Sequence, residues 1–173
     1  MNERFKAIAG SVVFLFVAPG IVAGVIPWSI SLYVQQPPLF GVEPVRWLGV
    51  LLLALGAVLL AETFARFALQ GLGTPAPIAP TRTLVVTGSY RFVRNPMYVA
   101  VVSLIVGQAL LLGSVGTLIW GAVVWLTALV SMMAVQMLFP QVYGGNVAAV
   151  TIQLAVLFAY LGLTVMAARE RPP

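Results

Sequence analysis

Three arginines, two tyrosines and an Asn-Pro pair stand in one stretch, Gly73 to Tyr98, which reads GTPAPIAPTRTLVVTGSYRFVRNPMY. Arg82, Arg91 and Arg94 have no acidic residue among them. Asn95-Pro96 directly before an apolar run predicts a helix start, with Asn as the cap and Pro at the first helical position. The free backbone N–H groups of such a helix end, together with Arg94, form a site for an anion. Tyr90 and Tyr98 add hydroxyls and aromatic faces, Gly73 and Gly88 permit tight turns, and Pro75, Pro77 and Pro80 stiffen the approach. Just upstream, Glu62 and Arg66 are spaced i, i+4 and share a helix face. They read either as an interfacial ion pair or as a pair whose Arg66 faces a polar cavity shared with the 73–98 loop. On residues alone the loop has two readings. It is either a built anion site or a basic loop whose arginines meet anionic lipid headgroups, each contact being worth about 1 kcal/mol.

The residue types that are missing narrow the chemistry. The chain has no histidine and no cysteine, so imidazole acid–base catalysis, thiol nucleophiles, disulfides and thiolate metal sites are all excluded. Its only carboxylates besides the C-terminus are Glu3, Glu43, Glu62 and Glu170. What remains is a reaction that depends on positioning and a bound cofactor. Nine basic against four acidic residues give a net charge of +5, but the basic residues are scattered over several loops and form no stripe of the kind that nucleic acid requires.

The elements that must position these residues are apolar helices. The 173-residue chain is 61% hydrophobic and 8% charged, with a mean hydropathy of +1.06. A soluble domain carries roughly 25% charged residues, so the expected class is an all-α, polytopic membrane protein forming a single membrane domain over 1–173. Spans are expected at about 7–34, 45–69, 97–112, 116–139 and, as the sequence is written, 147–168. Pro19-Gly20 and Pro27 are expected to kink the first span, or to end one helix and begin a short re-entrant turn. Gly107 and Gly113 are expected as small residues for close helix contact. The distribution of basic residues places the Arg4/Lys6 terminus and the 73–98 loop, between the second and third spans, in the cytoplasm.

The same stretch closely resembles the core motif of bacterial isoprenylcysteine carboxyl methyltransferase-like proteins, relatives of the phospholipid N-methyltransferases. Their pattern is a Gly-Thr-Pro-x-Pro turn followed by Leu-Val-x-x-Gly-Pro-Tyr-Arg-x-x-Arg-Asn/His-Pro-x-Tyr. The resemblance covers about residues 62–115, with Ser89 in place of the usual Pro and Ala100 near the usual Gly. It implies an integral enzyme of a bacterial inner membrane that methylates with S-adenosylmethionine. It further implies that Tyr90, Arg91, Arg94, Asn95, Pro96 and Tyr98 build the cofactor pocket, with Arg94 and Arg66 as candidates for orienting an anionic group. The implied partners are the lipid bilayer and a lipophilic or lipid-linked acceptor. Methyl transfer to an ionised carboxylate is a direct displacement governed by alignment and needs no histidine or cysteine. An amine acceptor calls for a proton acceptor, of which this chain offers few. A phospholipid amine remains the alternative substrate, and a non-enzymatic membrane protein with a lipid-binding loop the alternative role.

The end of the chain departs from that resemblance. The family closes with a cytoplasmic Tyr-Glu-Glu-Pro segment whose glutamates help to bind cofactor or substrate, whereas here Tyr143 is followed by Gly144-Gly145-Asn146 and an apolar run. Reverse translation with one G removed after the Tyr143 codon permits Glu-Glu, Leu, Phe and Tyr at the family's spacing. The expectation is that residues after Tyr143 are a frameshifted reading, which would leave the chain with half a cofactor site and impaired activity.

Overall fold

The computed structural model describes residues 3–71, 87–93 and 95–138, and among them every regular element is helical. The expected second, third and fourth spans fall on α3 (Pro44–Arg66), α4 (Pro96–Leu112) and α5 (Val115–Leu138). The expected span at 147–168 and the tail after Tyr143 lie outside the described residues. Among the described residues, three stretches are long and apolar enough to cross a bilayer: Ile8–Ser31, Pro44–Leu69 and Val115–Ala134. Helix α4, with 17 residues, is at the lower limit of crossing length.

The first span stays helical through both of its prolines. Helix α1 (Glu3–Gly20) passes through a single wide turn, Ile21–Val25, into α2 (Ile26–Ser31). In that turn the Ile26 N–H reaches back five residues to the Ile21 carbonyl. Pro27 has no N–H, so it can serve neither the Ala23 carbonyl four residues back nor the Val22 carbonyl five back. Neighbouring helices supply the missing donors: Trp120 Nε1 donates to the Val22 carbonyl at 2.9 Å and Gln108 Nε2 to the Ala23 carbonyl at 2.7 Å. Proline therefore produces a widened turn that is satisfied from outside, and the expected re-entrant ending does not occur. Around this point Ala23, Val101 and Ile105 form a buried cluster, with Trp120 and Val124 packed on it.

Helices α3 and α4 run antiparallel with their backbones almost in contact. A Cβ on Gly49 would lie 2.7 Å from the Leu111 nitrogen and 2.8 Å from the Gly107 carbonyl oxygen. One on Gly107 would lie 2.8 Å from the Gly49 carbonyl oxygen, and one on Gly56 would lie 3.1 Å from that of Ala100. In a bilayer, where lipid tails are as apolar as leucine, close packing of this kind takes over much of the role that hydrophobic burial has in water. Gly107 thus has its expected role. Gly113 does not: it ends α4 in the left-handed conformation, φ 71°, against the carbonyls of Gln36 and Pro37. Only glycine takes that backbone without strain.

Arg46 fixes the same end of the molecule. Its guanidinium donates to the Leu111 carbonyl at 2.6 Å, the Gln36 carbonyl at 2.7 Å and the Glu43 carboxylate at 2.9 Å. A cation at the C-terminal end of α4 meets carbonyls that have no partner within the helix. With this end tied down, the start of α4 is held at the opposite end of α3, where the polar residues gather.

Candidate functional site

The site is built on the last turn of α3. Glu62 and Arg66 pair there, and both reach the turn Gly88–Arg91 that follows in space. The Glu62 carboxylate accepts the Ser89 hydroxyl at 2.5 Å and the Ser89 backbone N–H at 3.3 Å. Arg66 Nη1 donates to the Thr87 hydroxyl at 2.8 Å. Between Thr87 and Ser89, Gly88 adopts φ 60° and lies so close to the Arg66 guanidinium and the Glu62 carboxylate that any Cβ would collide with both. Glu62 and Arg66 form an ion pair at the helix end, as one sequence reading has it, and the pair also contacts the loop at Thr87 and Ser89. The contact of Glu62 with Ser89 was not foreseen, although the presence of serine at 89 was the signal for it. Proline there has neither the hydroxyl nor the N–H that Glu62 accepts.

Tyr90 follows directly. Its ring packs at a tilt on Phe67, with centroids 5.5 Å apart, and its hydroxyl is buried with no hydrogen-bond partner among the described residues. Burial, and after it the charge of Glu62, pushes the phenol above its usual value. Tyr90 is therefore a neutral donor throughout the physiological range. Arg91 closes the turn and is exposed. Arg94 lies outside the described residues.

The start of α4 has a different environment. Asn95 occupies the cap position, but its side chain makes no capping hydrogen bond, which corrects the expectation that it would. Its backbone, at φ −134° and ψ 78°, is non-helical, in keeping with the steric conflict that keeps a residue before proline out of the α region. Its carbonyl accepts the Tyr98 N–H at 3.2 Å. Pro96 is buried as the first helical residue. Asn95 and Tyr98 line a small cleft against Trp125 and Met132 of α5. On its other side Tyr98 lines a larger cavity of about 280 Å³ between α1, α4 and α5, bounded among others by Phe14, Val22, Trp120 and Thr127. That cavity was not legible in the sequence, because its walls are aromatic and aliphatic residues of three helices distant from one another in the chain.

The predicted residues thus fall into two groups. Tyr90 and Arg91 belong to the turn fastened on α3, and Asn95, Pro96 and Tyr98 form the start of α4 facing α5. Among the described residues no cluster of three or more acidic, histidine or cysteine side chains could hold a metal ion. The family model described as phospholipid methyltransferase matches residues 44–145. No curated protein and no solved structure matches the chain.

Proposed function

The chain belongs to the phospholipid methyltransferase family, and from that premise we propose that it moves a methyl group from S-adenosylmethionine to a lipophilic acceptor at the membrane interface. The family match over α3, α4, α5 and the motif loop is the observation that carries this reading. The residues in place suit the cofactor. The buried Tyr90 hydroxyl is a neutral donor lacking an acceptor among the described residues, and the Asn95 side chain is not consumed in capping. The start of α4 presents a helix N-terminus, which favours a carboxylate. Tyr90, Arg91, Arg94, Asn95, Pro96 and Tyr98 are the residues proposed to hold it. When bound, S-adenosylmethionine supplies an electrophilic methyl group on a sulfonium. The protein's part is to align the acceptor and exclude water.

The 280 Å³ cavity supports an acceptor with an apolar tail, since Tyr98 lies at once on its wall and at the start of α4. A cavity of about 150 Å³ accommodates benzene, so this one has room for roughly twice that number of carbons. A carboxylate acceptor is supported by the occupied state of the described acids. Glu62 is engaged by Ser89 and Arg66, and Glu43 pairs with Arg46 beside the far end of α4. Both are engaged by partners in the structure, and an ionised carboxylate requires no proton acceptor. The family description favours the second reading, a phospholipid amine. Incubating the purified protein with methyl-labelled cofactor and membrane lipids separates the two. Label that mild alkali releases as volatile methanol is a methyl ester, label that stays non-volatile on the headgroup is an N-methyl group, and no transfer together with no thermal stabilisation by the cofactor removes the enzymatic reading.

For topology we propose four crossings through α5, with the motif loop on the cytoplasmic side. We also propose that the chain after Tyr143 is a shifted reading that removes one wall of the site. The end of the family match at residue 145 supports this. Deleting one base after the Tyr143 codon is expected to raise activity, and a product no more active than the chain as given would count against the idea.

A further inference from the structure

We propose that Glu62 is a positioning residue: its carboxylate, oriented by Arg66, fastens the turn Thr87–Ser89 to the end of α3 and thereby sets Tyr90 in place. What Tyr90 serves rests on the methyl-transfer reading, but the fastening itself does not.

Four observations converge on the fastening. The Glu62 carboxylate takes both donors of one residue, the Ser89 hydroxyl and the Ser89 N–H. Arg66, which pairs with Glu62, takes hold of the turn independently through Thr87. The Gly88 backbone lies on the pair with no space for a side chain, so the turn is seated flat against α3. The two charged side chains are 28% and 30% exposed, well covered for an ion pair at the end of a helix. An interfacial ion pair that merely solvates a helix terminus needs none of these contacts with a segment more than twenty residues away in sequence. The next residue, Tyr90, is anchored by Phe67 on the same helix end, so the orientation of its buried hydroxyl depends on where the turn is held. Hydrogen bonds to an ionised carboxylate are about twice as strong as neutral ones, which makes Glu62 the principal tie.

Hydrogen exchange of the full chain in detergent micelles, followed by mass spectrometry, tests the fastening. In Glu62→Ala, exchange across residues 87–93 is expected to accelerate roughly tenfold or more, the scale of a lost charged hydrogen-bond set. Peptides from the Gly49–Gly107 seam should be unchanged. Ser89→Ala, which leaves the helix intact, should show a smaller acceleration, and the double variant should match Glu62→Ala alone. The swap Glu62→Arg with Arg66→Glu retains the ion pair but moves the acceptor one turn away from Ser89, so the turn should stay loose. Wild-type exchange in Glu62→Ala, or full restoration by the swap, overturns the proposal. In methyl-transfer assays, Glu62→Ala and Ser89→Ala should raise the KM for S-adenosylmethionine with little change in kcat. Equal KM values would break the link to Tyr90. If the wild type binds no cofactor while Glu62→Ala still loosens the turn, the methyl-transfer reading falls and the fastening stands.

Discussion

Tyr90 illustrates how one side chain can be stable in the fold and incomplete within it. Its ring is held by Phe67 while its hydroxyl has been taken out of water without a partner among the described residues, an arrangement that costs about 1–3 kcal/mol. Tyr90→Phe removes that cost. The variant is expected to melt at the same temperature as wild type or higher, yet to bind S-adenosylmethionine roughly tenfold more weakly. Thermal melts and cofactor titration check both halves. Because the phenol titrates above its ordinary value of about 10, the folded protein retains a proton there that the unfolded chain loses. The contribution to stability is therefore full below pH 10 and declines as pH rises further. Phenolate absorbance should show a late-titrating component in the wild type that is lost in Tyr90→Phe. The sequence exposed Tyr90 through its motif but concealed its support. Glu62 and Ser89 are 27 residues apart, and no periodicity joins a helix end to a loop at that distance.

Among the helices, the α3–α4 seam is governed by what is absent from Gly49, Gly56 and Gly107. Gly107→Ala would bring a methyl group against the Gly49 carbonyl and the Leu53 backbone, and backbone cannot rotate out of the way as a flexible side chain can. A loss of about 1–3 kcal/mol is expected, measured as unfolding in mixed micelles. Arg46→Ala should be comparably costly, since it deprives the Leu111 and Gln36 carbonyls of their donor together. Its partner variant Glu43→Ala should have a small effect, because Glu43 is 70% exposed and surface pairs contribute little. The contrast between the two checks whether carbonyl capping or ion pairing holds this end. The helices themselves were readable from their apolar length. The roles of their glycines were only half readable, because Gly107 and Gly113 sit in similar apolar contexts, and only the three-dimensional turn shows that one packs while the other caps.

At the scale of the whole molecule, the absence of cysteine makes topology directly measurable. A single cysteine replacing Gln35 and another replacing Thr87 should label from opposite sides of sealed membranes, the latter from the cytoplasm. Labelling of both from one side would contradict four crossings. The wide turn at residues 21–25 has a further consequence, concerning the order in which the protein comes into being. The carbonyls of Val22 and Ala23 enter the bilayer with the first span, but their donors are Gln108 and Trp120, 85 and 98 residues later in the chain. An unmatched carbonyl in hydrocarbon costs several kcal/mol, so a newly made first span has no settled place in lipid until α4 and α5 arrive. A chain truncated before Gln108 should therefore extract from membranes more readily than one truncated after α5, and Pro27→Ala, which restores one N–H for one of the two carbonyls, should narrow the difference. The proline thus binds the Ile8–Ser31 stretch to the last described helix, which makes assembly of the bundle a condition for that stretch to settle in the membrane.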